Sequence, residues 1–269
     1  MMIKNDSLQH SDDRPNVVMK SILSLPTMET TLLYLEDFTR LECDAKIIER
    51  SQENGTEIVV LDQTVFYPQG GGQPYDTGVI ESASGKFLVE EVRFADGMVR
   101  HIGHFESGNF EVGETVQCHV DKERRTLNSR LHSAGHLVDK AIYELKLNWT
   151  PGKGYHFPNG PYDEYKGTLE GMDKEKLKAD IEKLCNDYVE KGGKTEVIYM
   201  TREKMKEVCH YAPDFPEAKG TLARIVVHDG YYMPCGGTPV SDMRDIERIT
   251  IRKIKQEGAN IRVGYDVAQ

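Results

Sequence analysis

Three side chains of metal-ligating type are spaced so that they can meet in the folded chain. His132 and His136 lie four residues apart in a stretch with helical periodicity, and Cys235 follows about a hundred residues later in the segment Met-Pro-Cys-Gly-Gly-Thr. Residues i and i+4 project from one face of a helix, so a single helix can offer two imidazole nitrogens to one ion. A thiolate from a distant turn would supply the third ligand.

This set of donors predicts a catalytic zinc site. Three protein ligands leave the fourth tetrahedral position for water, whose pKa then falls to about 7 and gives a hydroxide nucleophile near neutral pH. A metallopeptidase is disfavoured, because Ser-Ala-Gly separates the histidines and the glutamate base of the HExxH motif is absent. Taken separately, the histidines are also explained as surface or core-edge residues and Cys235 as a small buried residue. Together they favour zinc.

The segment from Phe66 to Asp76 (FYPQGGGQPYD) is the second unusual feature. Its three consecutive glycines, Gly70, Gly71 and Gly72, indicate a backbone surface that another group approaches closely. The segment is not a phosphate-binding P-loop, because no Gly-Lys-Ser/Thr follows. A tight turn joining two strands is the structural alternative.

The composition restricts the partners that the chain can bind. Lysine and arginine number 34 against 44 acidic residues, for a net charge of −10, so any contact with nucleic acid must be local. Two clusters of basic residues could contact phosphates. Alternatively, each cluster is an ordinary solvated face of the protein. The clusters are Arg124, Arg125 and Arg130, and Arg252, Lys253 and Lys255.

The cysteines and the apolar runs predict the compartment. Five scattered cysteines without a CxxC pair argue against a disulfide framework and against a four-cysteine zinc ribbon, and favour a reducing cytoplasm. We expect neither a signal peptide nor a membrane partner, since no apolar run has the length of a membrane span.

The hydrophobic pattern predicts an α+β fold with three regions: a polar tail over residues 1–27, a β-rich domain over 28–120 and a two-layer α+β domain over 121–269. Short apolar runs between glycine, asparagine and aspartate turns predict the strands of the β-rich domain. Two amphipathic helices are predicted, from near Lys122 to Leu145 and from Asp173 to about Lys191. Later runs predict one sheet beneath the helices, with strands at Glu196–Met200, Leu222–Val227, Ile246–Ile254 and Asn260–Tyr265.

Three segments in this order resemble the AlaX family of free-standing alanyl-tRNA editing proteins. They are Leu61–Gly78 (LDQTVFYPQGGGQPYDTG), Arg125–Leu137 (RTLNSRLHSAGHL) and Pro234–Val240 (PCGGTPV). The same pattern forms the editing domain of alanyl-tRNA synthetases, with a related zinc-site core in threonyl-tRNA synthetases. The resemblance covers about residues 30 to 266. It implies a β-rich domain with the glycine motif, an α+β editing domain with the metal, and a mischarged tRNA acceptor end as partner.

The resemblance also implies a reaction and a ligand set. The reaction is hydrolysis of the ester that joins a wrong amino acid, typically serine or glycine, to the 3′-terminal adenosine of tRNA(Ala). The family's zinc ligands map onto His132, His136 and Cys235, but the histidine of its CGGTH segment is replaced by Pro239, which has no donor atom. Either water completes the zinc site, or His228 or His156 does, or zinc binding is weakened.

The leading hypothesis is a zinc-dependent hydrolase that edits mischarged tRNA(Ala) in trans. The zinc would bind the amino group of the amino acid or activate the attacking water. The Gly70–Gly72 loop, with Gly236 and Gly237, would shape a small pocket. Selecting serine over alanine requires a polar reader, for which Gln73 and Thr238 are the candidates.

Two alternatives remain at this point. One is a non-catalytic tRNA-binding homologue that has lost the full zinc site. The other is a deacylase of another small aminoacyl-tRNA, or of a free aminoacyl ester. The sequence does not indicate an oligomeric state.

Overall fold

The computed structural model describes residues 29–212 and 222–268, so the polar tail predicted over residues 1–27 lies outside the described residues. The predicted strands of the β-rich region are confirmed. The elements of this region are β1 (Thr31–Leu32), α1 (Leu33–Glu36), β2 (Glu42–Glu53), β3 (Thr56–Leu61), β4 (Gln63–Thr64), β5 (Gly78–Glu81), β6 (Gly85–Ala95), β7 (Met98–Gly108) and β8 (Thr115–Val120).

Six of these strands close into an antiparallel barrel in the order β2-β3-β7-β6-β5-β8. The first half of β2 shows why, since Cys43, Ala45 and Ile47 are buried while the residues between them are exposed. Such alternation places one face of a strand on a core and the other in solvent. The register shifts in the β2–β3 and β6–β7 pairs mark bulges of the kind that bend strands enough to close a barrel.

The remaining described residues form helices and two sheets. Their elements are α2 (Lys122–Glu144), β9 (Thr150–Tyr155), β10 (Tyr162–Lys166), α3 (Lys174–Lys191), β11 (Glu196–Met200), α4 (Arg202–Val208), β12 (Ala223–His228), β13 (Tyr231–Pro234), a 3₁₀ helix (Met243–Ile246), β14 (Ile249–Glu257) and β15 (Asn260–Val267). Helix α2 begins where Asp121 accepts a hydrogen bond from the backbone N–H of Arg124 at 3.1 Å. Helix α3 begins after its N-cap residue Asp173. It ends at the C-cap Gly192, whose φ of 69° is incompatible with a further turn of α-helix. Both predicted helices are confirmed.

The prediction of a single sheet in this half is wrong. One sheet has four strands in the order β14-β15-β10-β9, and a separate sheet has three in the order β11-β12-β13. Strands β9 and β10 were missed because Pro151, Gly152 and Gly154 in β9 and the acidic residues of β10 mask the pattern of a strand. The predicted strand at Ile246 starts later, since Met243–Ile246 is a 3₁₀ helix.

Helices α2 and α3 pack against the four-stranded sheet around one apolar core, which gives the predicted pair of layers. The α+β fold class is thus confirmed. The three-stranded sheet has its own small core, in which Met205 of α4 packs against Ile225 of β12. This second sheet matters for the site because β12 ends at His228 and β13 leads directly to Cys235.

None of the helices in the described part of the chain is both long and apolar enough to cross a lipid bilayer.

His101 is buried completely inside the barrel and should make folding pH-dependent. Burial lowers the pKa of its imidazole from 6.5 to about 4, although Nδ1–H donates to Val59 O at 3.0 Å. Between these pH values the unfolded chain binds the proton and the folded chain does not, so stability falls as the pH falls. We expect wild type to lose about 2 kcal/mol more than His101→Gln between pH 7 and pH 5. Urea unfolding of both proteins at the two pH values measures this difference, and equal losses would contradict the assignment.

Candidate metal centre

The fold brings together the three side chains that the sequence singled out as ligands. His132 and His136 project from α2, and Cys235 follows β13. One donor atom from each residue lies within 4.8 Å of the others, and His132 Nε2 is 3.0 Å from Cys235 Sγ. Both histidines are buried. The cluster is therefore able to hold a metal ion.

A chain of hydrogen bonds fixes which nitrogen of His136 faces the cluster. The hydroxyl of Thr195 donates to Val240 O at 2.6 Å, so its oxygen is left to accept from His228 Nδ1–H at 3.4 Å. His228 Nε2 is then the acceptor for His136 Nδ1–H, at 3.2 Å. The lone pair of His136 Nε2 is therefore available to bind a metal ion. Such outer partners orient and tune the histidines of metal sites.

Burial keeps the imidazoles of the site in the neutral form that binds metals. It lowers the pKa of His132 and His136 well below the ordinary value, and the neighbouring histidines and Arg224 lower both further. Burial also lowers the pKa of His156 to about 4 and that of His228 to about 3.

The thiol of Cys235 behaves differently from the imidazoles. Burial raises its pKa, while the N–H of Gly237, 3.3 Å from Sγ, acts in the opposite direction. A bound cation would reverse the effect of burial and hold the thiolate form.

The glycine-rich segment contains both the tight turn and the close approach that its sequence predicts. Gly70 and Gln73 bond to each other through their backbones, with Gly71 and Gly72 at φ values of 51° and 79° between them. A Cβ on Gly72 would lie 2.5 Å from the carbonyl oxygen of Gly154, so only glycine fits there. Gly72 O accepts from the N–H of His156 at 2.9 Å. The loop thereby positions His156 beside the metal ligands.

Gln73 and Thr238 bond to each other across the two halves of the molecule. Gln73 Nε2 donates to Thr238 Oγ1 at 2.8 Å, and its Oε1 accepts from the N–H of Thr238 at 3.1 Å. Both residues are fully buried. The pair fixes the segment that carries Cys235 against the glycine-rich loop. Gly237 belongs to this contact, because a Cβ there would lie 2.8 Å from Gln73 Oε1.

His132, His136 and Cys235 line a cavity of about 540 Å³. Of the predicted substrate-binding residues, Gly71, Gly72, Gly236 and Gly237 also line it, whereas Gly70, Gln73 and Thr238 are not among its lining residues. The charged and tyrosine lining residues that were not predicted from the sequence are Asp139, Lys153, Asp163, Tyr211, Tyr231 and Tyr232. Asp139 lies at i+7 from His132 and i+3 from His136, so helical periodicity could have found it. No motif or spacing in the sequence indicates the other five.

The interpretation of Arg125 as a phosphate contact is wrong, because Arg125 is buried and paired with an acidic residue. Its guanidinium is buried and pairs with the fully buried Asp76, with Nε 3.1 Å from Oδ1 and 3.0 Å from Oδ2. It also donates to Val65 O at 2.7 Å. Asp76 Oδ2 further accepts from the N–H of Tyr67 at 2.7 Å. The ion pair thus ties the start of α2 to the glycine-rich segment.

Comparison with known proteins places the chain in a family. A family model described as tRNA synthetases class II (A) matches residues 4–124. The chain is 30% identical to the alanyl-tRNA editing protein AlaX-M of Methanosarcina barkeri, over 84% of this chain and 95% of that protein. It is also 30% identical to the AlaX-M of Pyrococcus horikoshii, over 84% of this chain and 91% of that protein.

The chain belongs to the AlaX-M family of alanyl-tRNA editing proteins. The resemblance stated from the three sequence segments is therefore confirmed. The alanine–tRNA ligase of Methanobrevibacter smithii is also 30% identical, over 92% of this chain but only 28% of the ligase. The synthetase family model ends before His132, whereas the match to the ligase covers enough of this chain to include His132, His136 and Cys235.

In this AlaX-M family member, Pro239 is buried and is not among the residues that line the cavity. Both histidines considered as replacements for the missing ligand lie beside the cluster. His228 contacts His136, and the ring of His156 is 4.9 Å from that of His132. Neither belongs to the group of donors within 4.8 Å of one another. The geometry therefore gives a cluster of three potential metal donors with two further histidines beside it.

Proposed function

We propose that this AlaX-M family member is a zinc-dependent aminoacyl-tRNA deacylase that removes a mischarged serine or glycine from tRNA(Ala) in trans. The observation that carries the proposal is the cluster of His132, His136 and Cys235 in the wall of a cavity. The names of the AlaX-M relatives support tRNA(Ala) as the partner, since the chain spans 95% and 91% of their lengths.

The donors favour zinc among the common metals. Two imidazole nitrogens and one thiolate suit zinc, and three protein ligands leave one position open. When bound, zinc supplies Lewis acidity and lowers the pKa of water that it coordinates. His136 presents Nε2 because His228 holds its other nitrogen, and the N–H of Gly237 stabilises the thiolate of Cys235.

The shape of the cavity suits the end of an aminoacyl-tRNA. Gly71, Gly72 and Gly237 line the cavity with backbone atoms and without side chains. Tyr231 and Tyr232 add aromatic surface of the type on which a nucleotide base stacks. Gln73 and Thr238 remain predicted readers of the serine hydroxyl. Their mutual bonds support a positioning role for the segment that holds Cys235.

The panel of charged tRNAs that tests this function consists of Ser-tRNA(Ala), Gly-tRNA(Ala) and Ala-tRNA(Ala). We expect the protein to deacylate the first two and to spare the third. An apolar pocket separates such pairs by only about a hundredfold, so a larger preference for serine over alanine would indicate a polar reader. If all three are equally stable with and without the protein, the proposal is wrong. Hydrolysis of a different small aminoacyl-tRNA instead would support the alternative substrate.

His228 should set the affinity of the site for zinc without being a ligand. We expect His228→Ala to weaken zinc binding about ten- to a hundredfold, because outer partners of metal-bound histidines have effects of this size. The control is His104→Ala, which removes an exposed histidine of the barrel. Competition with a chromogenic chelator measures both variants. Unchanged affinity in His228→Ala would show that the bond to His136 does not orient the ligand.

A further inference from the structure

Two carboxyl groups face the cavity next to the metal ligands and have no role in holding the metal. Asp139 lies on α2, one helical turn beyond His136, and Asp163 lies on β10 opposite Gly154 of β9. Both residues line the cavity. Within the described residues, the cluster of potential metal donors consists of His132, His136 and Cys235 and includes neither aspartate.

Asp163 lacks the hydrogen bonds that a buried carboxyl group normally has. It is 6% exposed, and its Oδ2 is buried without a partner. The nearest basic atom to Oδ1 is Nδ1 of His156 at 3.9 Å, and that nitrogen is already bonded to Tyr265 Oη at 2.6 Å. Leaving a buried acceptor unpaired costs free energy, so each case calls for an explanation.

Asp139 is only partly satisfied by the protein. One of its oxygens accepts from the hydroxyl of Tyr165, and no described donor bonds the other. The charge of Asp139 adds to the effect of burial in raising the pKa of Asp163. The cavity wall therefore holds a pair of acids with unused acceptor oxygens.

The chemistry of the pair favours an ammonium ion over a metal ion. An ammonium group has three N–H donors on one atom, which match the free oxygens of Asp139 and Asp163. A divalent cation would need more oxygen ligands than these two side chains supply. The ligand class is therefore a primary amine in its charged form.

The position of the pair relates it to the ester that the metal cluster would hydrolyse. Asp139 follows His136 by three residues, a rise of about 4.5 Å along α2. In an aminoacyl ester, a single carbon separates the α-amino nitrogen from the ester carbonyl. An ester held beside His132 and His136 can thus direct its amino group toward the acids.

We infer that Asp139 and Asp163 form the subsite for the α-ammonium group of an aminoacyl ester. This inference rests on the proposed function and deepens it: the substrates are esters of amino acids with a free amino group. It assigns the amino group to the carboxyl groups, so that the open position of the metal is left to water. It also explains why a buried carboxyl group stands without a donor in the wall of the cavity.

The test compares two non-hydrolysable probes by calorimetry on the full-length, zinc-loaded protein. One is 3′-seryl-amido-3′-deoxyadenosine, and the other is its 3-hydroxypropionyl counterpart, which lacks only the amino group. We expect wild type to bind the amino probe about ten- to a hundredfold more tightly, as for hydrogen bonds to a charged group. Asp163→Asn and Asp139→Asn should each bring the two affinities within a few-fold of each other.

The control is Asp180→Asn, which removes the same charge from the exposed face of α3 and should keep the preference. Thermal melts check that each variant is folded, and either aspartate variant alone carries the test if the other does not fold. Equal binding of both probes by wild type, binding of neither, or a preference retained in the variants overturns the inference. Hydrolysis of Ser-tRNA(Ala) by wild type reports separately on the proposed function. If the protein hydrolyses Ser-tRNA(Ala) but binds both probes equally, only the subsite is refuted. If it prefers the amino probe but does not hydrolyse Ser-tRNA(Ala), only the proposed function is refuted.

Discussion

Replacing Cys235 with alanine is expected to lower the rate of Ser-tRNA(Ala) deacylation by about a thousandfold. The metal would lose its only sulfur ligand and keep two imidazoles, and about 4 kcal/mol of transition-state stabilisation corresponds to this factor. The zinc content of the purified protein should fall from one equivalent to near zero. Elemental analysis and single-turnover kinetics on the same preparation measure both quantities.

Cys209→Ala is the matched control for this experiment. Cys209 is a free cysteine like Cys235, but it is buried in the small core of the three-stranded sheet and does not line the cavity. We expect this variant to keep its zinc and its activity. A Cys235→Ala protein with full zinc content and an unchanged rate would remove Cys235 from the ligand set.

Replacing Asp76 with alanine is expected to destabilise the protein by about 3–5 kcal/mol. The substitution leaves the guanidinium of Arg125 buried without its counter-ion, and removing one partner of a buried pair has a cost of this size. The N–H of Tyr67 also loses its acceptor. A fall of about 10 °C or more in melting temperature should accompany the loss. Urea unfolding measures the free energy directly.

The double variant Asp76→Ala/Arg125→Met separates the ion pair from simple packing. It removes the stranded charge as well as the carboxylate, so its loss of stability should be smaller than that of Asp76→Ala alone. Asp121→Ala, which removes only the cap of α2, should cost about 1 kcal/mol. If Asp76→Ala costs no more than the cap variant, the pair does not hold the glycine-rich segment to α2.

The helices and the shared face of His132 and His136 were predictable because they depend on local pattern. The apolar spacing from Lys122 to Leu145 defines α2, and two histidines at i and i+4 on one helix must share a face. Asp173 and Gly192 mark the ends of α3 by their backbone chemistry. In each case the residues that decide the structure are close together in the sequence.

The closed barrel and the separation of the two sheets were not predictable in the same way. Strand pairing joins segments far apart in the sequence, such as β2 with β8, and the register depends on the whole sheet. The bond between Gln73 and Thr238 spans 165 residues. Asp163 is polar within a strand that carries little apolar signal, so its place in the cavity appears only when β9 and β10 pair.

The structure shows which side chains lie near the cluster in this chain, in which Pro239 replaces the family's fourth ligand. The family resemblance marked the position by the loss of a ligand, and local pattern could not tell which side chain lies nearby. The fold places His228 against His136 and His156 against His132, one from β12 and the other from the loop after β9. Together they surround a site of three donors with neutral imidazoles.

The most direct test of a metal-dependent editing site is a zinc titration of metal-free protein, in which the single-turnover rate of Ser-tRNA(Ala) deacylation is measured at each step. A cluster of three donors can hold one ion, so the rate should rise in proportion to added zinc and level off at one equivalent. The His132→Ala protein should remain inactive throughout the titration. Full activity of the metal-free protein, or tRNA binding without deacylation at saturating zinc, would contradict a metal-dependent editing site.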